Sequence, residues 1–184
     1  MTGQRFAVVY LADVQSRVRL YGLDGKSIGE IALPETGSVA GTSADGRGLA
    51  ARSDGRELFL NFTSFLRPTT VFRYDFDRRT LEPFFAPTSP FDASKYETRA
   101  LFYSSKDGTR VPIFVTLRKG AKLDGRHPAV LFGYGGFNIS VVPSFSPAVA
   151  AWLEMGGVYA VANIRGGGEY GSEWHKAGTK ERKQ

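Results

Sequence analysis

The 184-residue sequence is 42% hydrophobic and holds 14 phenylalanines, enough to build one sizeable core or two small ones, which excludes wholesale disorder. It has no cysteine, which excludes disulfides and thiolate metal sites and fits a reducing compartment without proving one. Much of the formal charge of +6 sits at Arg118, Lys119, Lys122 and Arg126 and in the tail at Lys176, Lys180, Arg182 and Lys183, without the interleaved aromatics of a nucleic-acid platform.

The apolar run Phe6 to Leu11 is too short for a leader, and no run is long enough to span a bilayer, so a soluble and cytoplasmic protein without a membrane partner is expected. From Arg5 to about Phe85 short β-type runs alternate with turns. Phe6–Leu11, Val18–Leu23 and Ile28–Leu33 are predicted strands, with Asp24-Gly25 as a hairpin turn between the last two. Ser38–Ser43 is a possible fourth. Glu57–Phe62, Thr70–Phe76 and Thr80–Phe85 repeat the three-strand rhythm about 50 residues on, a period close to that of β-propeller blades. Such blades need neighbours to bury their faces.

Two motifs in this half fail on context. Gly25-Lys26-Ser27-Ile28-Gly29 spells a nucleophile elbow, but Ser27 follows a hairpin turn and leads into a strand stopped by Pro34, where an elbow needs a strand before it and a helix after it. A phosphate loop ending at Gly25-Lys26-Ser27 requires an earlier glycine where Leu20 stands.

Pro83, Pro87 and Pro90 with Thr88-Ser89 read as a connector, which divides the chain into residues 1–88 and 89–184. Beyond it, Tyr96–Ser104 and Val111–Leu117 are predicted to pair through a hairpin at Lys106-Asp107-Gly108. Pro128–Gly133 is predicted as a buried strand and Phe145–Met155 as a helix, capped by Ser144 or Ser146 and stopped at Gly156-Gly157. Val158–Ile164 is a further strand, followed by a glycine turn and a helix expected to run through Gln184. A hairpin followed by strand, helix, strand, turn and helix begins an α/β sheet that Gln184 does not complete.

The stretch Gly133-Tyr134-Gly135-Gly136-Phe137 is the candidate for chemistry, the alternative being a plain glycine turn in which Tyr134 only packs or caps. Three glycines permit positive φ and close approach to a ligand. Between Gly133 and Phe137 only Tyr134 has a side-chain donor, and Phe137 offers a flat apolar wall beside it. A loop after a strand of a parallel sheet lies at the edge where α/β proteins bind ligands.

Elsewhere the signals are structural. Gly166-x-Gly168-x-x-Gly171 fits a dinucleotide fingerprint on paper, but a Rossmann unit opens its domain with that motif and here a hairpin and a βα unit precede it. Arg165 and Glu169 flank this turn as a possible ion pair. His127 reads as a surface loop residue, and His175 as facing solvent beside a Trp174 that packs on the sheet. No metal-ligand spacing is present, and no cofactor is expected.

Phe132-Gly133-Tyr134-Gly135-Gly136-Phe137-Asn138, then Asn163-Ile164-Arg165-Gly166-Gly167-Gly168-Glu169-Tyr170-Gly171 and Trp174-His175-Lys176, strongly resemble the prolyl oligopeptidases, as do Tyr10 to Arg17, Phe62 to Phe65 and Tyr103 to Thr109. The resemblance covers nearly the whole chain. It implies the last blades of a β-propeller over residues 1–88 and the first part of an α/β-hydrolase domain over 89–184. It also implies a serine peptidase that cleaves short peptides after proline, in which Tyr134 donates to the oxyanion and Phe137 lines the proline pocket. Hydrolases of this kind order their triad as serine, aspartate, histidine. All three are therefore expected after Gln184, His175 is not the triad histidine, and the chain by itself is expected to be an inactive fragment whose partner is the remainder of its own polypeptide. A propeller-type binding module and a nucleotide-binding βα unit are the other function classes open to the sequence.

Overall fold

The computed structural model describes residues 4–39 and 48–182. These fall into two units that divide between Ser89 and Pro90, with Pro143–Phe145 grouped with the first.

In the first unit β1 (Arg5–Ala12), β2 (Gln15–Gly22) and β3 (Ser27–Ile31) form one antiparallel sheet. A second sheet runs β4 (Ser38–Val39), β6 (Glu57–Thr63), β7 (Thr70–Asp75), β8 (Thr80–Phe85), with β5 (Leu49–Ala50) also paired to β6. Alternation explains the packing of both. In β2, Ser16, Val18 and Leu20 are buried while Arg17 and Arg19 face out toward Glu30 of β3. Val18, Leu20 and Ile31 of the first sheet then join Val39, Leu58 and Tyr74 of the second, and Phe76 beyond it, in one apolar cluster. The two blade-like sheets thus bury their faces against each other. The possible strand at Ser38–Ser43 is seen as β4, and its remainder lies outside the described residues. Ser27 opens β3 and is exposed, with no helix after it.

The second unit holds a four-stranded sheet in the order β11 (Ala129–Gly133), β12 (Val158–Ala162), β10 (Arg110–Arg118), β9 (Tyr96–Ser104). β9 and β10 make the expected hairpin, turned at Gly108 with φ +81°. β11 and β12 are parallel, as strands joined by a helical crossover should be. That crossover contains α1 (Pro147–Glu154), shorter than the predicted helix; Pro147 opens it, and Ser146 holds the cap position without a side-chain bond. Central β10 is buried, with Phe114, Thr116 and Leu117 almost sealed from solvent.

Two expectations are overturned here. Pro128–Gly133 is not a buried strand: β11 pairs on one side only, so it is an edge, and all five of its residues are exposed, Leu131 to 67%. Nor does one helix run from the glycine turn to Gln184. α2 (Ser172–Lys176) is followed by a separate 3-10 turn at Lys180–Arg182. The break has a steric cause. Gly178 passes so close to the preceding turn that a Cβ there would lie 2.2 Å from the Arg165 carbonyl carbon, and Lys180 takes a positive φ of 51°.

Candidate functional site

Because β11 and β12 are parallel and in register at Gly133 and Ala162, the loops that follow them leave the sheet side by side at its carboxyl edge. The first carries Tyr134 and Phe137, and the second is the glycine turn after Ile164. Their backbones touch. A Cβ at Gly135 would lie 2.6 Å from the Arg165 carbonyl oxygen, one at Gly166 would lie 2.2 Å from the Gly135 oxygen, and one at Gly168 would lie 2.5 Å from the Asn138 oxygen. The glycines therefore serve loop-on-loop packing. The close approach expected toward a ligand at Gly135 is made instead toward Ile164 and Arg165. The same packing accounts for the fingerprint-like glycines Gly166 and Gly168.

Both site residues expected from the sequence lie exposed on this packed pair of loops. Tyr134 is 41% exposed, its ring lies beside Gly136, and among the described residues its hydroxyl takes no hydrogen-bond partner. Phe137 is 85% exposed and adopts φ +52°, followed by Asn138 at φ +57°. A bulky residue in the left-handed region is uncommon and persists only where its surroundings enforce it. Enforcement comes from the backbone: the Asn138 N–H donates to the Gly166 carbonyl at 3.2 Å, and the Ile139 N–H to the Gly136 carbonyl at 3.0 Å. A free phenol and an exposed ring on a fixed loop can act as a preorganised donor and an apolar wall.

The second loop is held from both ends. Arg165 does not pair with Glu169; its guanidinium reaches Asp107 in the β9–β10 turn, with Thr109 Oγ1 and Ser105 Oγ each at 3.3 Å. Arg165 holds the Asp107 carboxyl well below its ordinary value, at about 2, helped by the Thr109 N–H. Glu169 is buried and accepts from the Val141 N–H at 3.0 Å and from Asn163 Nδ2 at 3.3 Å. Both bonds go to Oε1; among the described residues the buried Glu169 Oε2 and Asn163 Oδ1 take no partner. Local spacing favoured Arg165–Glu169, but the sheet brings Asp107 to Arg165 from 58 residues away.

The histidines divide. His127 is exposed, as expected. His175 is half-buried, contrary to the solvent-facing position expected of it, because its Nδ1 meets the Gly166 carbonyl at 2.7 Å. Trp174 packs edge-on against the Tyr170 ring. Among the described residues there is no cluster of His, Cys, Asp and Glu suited to a metal, and no helix is long and apolar enough to cross a membrane.

Comparison with known proteins bears on both units. Residues 1–87 match the family model of the prolyl oligopeptidase N-terminal β-propeller domain, and residues 143–184 match that of the prolyl oligopeptidase family. A prolyl endopeptidase of Elizabethkingia miricola is 41% identical over 99% of this chain and 25% of its own length. A dual function macrocyclase-peptidase of Galerina marginata is 34% identical over 97% of the chain and 24% of its own. Among solved structures, one from a study of two prolyl endopeptidases aligns with a TM-score of 0.86 at 40% identity, covering 100% of this chain and 26% of that one. Prolyl oligopeptidase B from Galerina marginata gives 0.84 at 33% identity, over 98% and 25%. The chain spans about a quarter of the length of the relatives it matches.

Proposed function

Since the chain belongs to the prolyl oligopeptidase family, with propeller blades followed by the start of the hydrolase domain, we propose that the loop after β11 is part of the acyl-transfer site of a serine peptidase that cleaves short peptides after proline. Tyr134 donates its hydroxyl to the oxyanion, and Phe137 forms a wall of the proline pocket. The observation that carries this reading is the conformation of Phe137, left-handed and 85% exposed on a loop fixed by its neighbour. A strained backbone that holds an apolar ring out toward solvent gains nothing for the core, which favours a ligand role.

The attacking group lies outside these residues. Ser27 sits in a strand, and His175 is engaged with a backbone carbonyl. The open edge of β11 is where further strands of a longer polypeptide would pair. By itself this chain hydrolyses nothing, so the purified chain leaves a proline-ester reporter intact, and cleavage blocked by a serine-directed inhibitor would contradict that.

A pocket wall contacts substrate and transition state alike, so its loss is felt in binding. In the complete peptidase, Phe137→Ala should raise KM for proline substrates and leave kcat nearly unchanged. An unchanged KM would remove Phe137 from the pocket.

A further inference from the structure

We propose that His175 is a positioning residue, whose imidazole latches the loop bearing Tyr134 and Phe137 by fixing a carbonyl to which that loop is bonded. The proposal deepens the peptidase reading and rests on it for the catalytic consequence.

The left-handed pair Phe137 and Asn138 is not stabilised by glycine, and the exposed Phe137 ring has little packing to hold it. The second residue of the pair is fixed through its N–H, which donates to Gly166 O at 3.2 Å. The same oxygen lies 2.7 Å from His175 Nδ1. A carbonyl only accepts, so Nδ1 carries the hydrogen and points it at Gly166. On its other side the Gly166 N–H donates to Trp174 O at 3.1 Å, and the His175 N–H donates to Gly171 O at 3.1 Å. The Gly166 peptide therefore joins the Tyr134 loop, the glycine turn and α2.

Space reinforces this junction. A Cβ at Gly166 would lie 2.2 Å from Gly135 O and 2.9 Å from Gly178 O, so the peptide has backbone on two sides. Removing the imidazole takes away the shorter of the two bonds to this oxygen. The longer bond, from Asn138, then loses one of the groups that orient its acceptor, and the restraint that it places on Phe137 weakens.

The test is amide hydrogen exchange on the 15N-labelled chain. His175→Ala should speed exchange at Asn138 about fivefold or more, the scale of one lost hydrogen bond, while amides of β9 and β10 stay unchanged. His175→Asn, whose amide N–H can stand where Nδ1–H stood, should restore most of the protection. His175→Gln, which offers its donor one bond further out, should not. Unchanged exchange at Asn138 in His175→Ala overturns the proposal. So does faster exchange throughout β9 and β10, or loss of the fold, since either makes His175 a general packing residue. In the complete peptidase, kcat/KM for a proline reporter should fall in His175→Ala and recover in His175→Asn. Should Tyr134→Phe leave kcat unaltered, the oxyanion role of Tyr134 fails, and the exchange pattern still decides the latch.

Discussion

Gly135→Ala probes the packing of the two loops most directly. Gly135 has φ +54°, and a Cβ there would lie 2.4 Å from Ile164 Cγ1, 2.6 Å from Arg165 O and 2.8 Å from Ile164 O. The isoleucine can turn away, but the two carbonyls belong to the backbone and cannot. The left-handed conformation costs an alanine roughly 1–2 kcal/mol. Overpacking against an unyielding neighbour adds roughly 1–3 kcal/mol, for a total of about 2–5 kcal/mol. Two controls separate these contributions. Gly156 has φ +89° with nothing within 4 Å of its Cβ position, so Gly156→Ala should show the conformational cost alone. At Gly136 the new methyl would only touch the Tyr134 ring at 3.7 Å, so Gly136→Ala should be the mildest of the three. The assay is urea unfolding followed by tryptophan emission. Both tryptophans, Trp152 and Trp174, lie in the second unit, so the signal reports on the unit that holds the site. Equal losses in Gly135→Ala and Gly156→Ala would refute the loop-on-loop packing.

Two more predictions follow from single contacts. Asp107 has its carboxyl lowered from 3.8 to about 2, chiefly by Arg165, so its contribution to stability is fully present above the unfolded value and is lost as pH falls through about 2. The stability gap between wild type and Asp107→Asn should therefore be constant near neutral pH and shrink below pH 3.8, and a gap unchanged down to about pH 2 would contradict the pairing. The exposed edge of β11 should make the chain self-associate, and Leu131→Lys should suppress this in sedimentation, because a charge on an edge strand blocks strand pairing. A wild-type chain that stays monomeric and melts sharply and reversibly would oppose that expectation.

The strands were legible because alternation is written directly in the residues, as in β2, where serine, valine and leucine turn inward between arginines. The exposure of β11 was not legible. An apolar run such as Ala129 to Phe132 looks the same in a central strand and at an edge, and only the pairing order separates the two. Tyr134 and Phe137 could be singled out from the glycines around them, yet nothing about a phenylalanine announces a positive φ. The partners of Arg165 and Glu169 were hidden for a different reason. Asp107 and Val141 reach them through the sheet and the loop packing, which no local spacing encodes. The role of His175 was missed because a histidine on a short polar helix reads as solvated until the carbonyl opposite its ring is seen.

The account turns on the Tyr134 hydroxyl, and steady-state kinetics of Tyr134→Phe in the complete peptidase test it. If the phenol donates to an oxyanion, its bond strengthens as charge gathers in the tetrahedral transition state. The variant should then lose about 10²–10³-fold in kcat, the scale set by other oxyanion donors, while KM moves little. If Tyr134 serves only to pack its ring beside Gly136, phenylalanine keeps that ring and kcat is unchanged. That result would contradict the catalytic assignment.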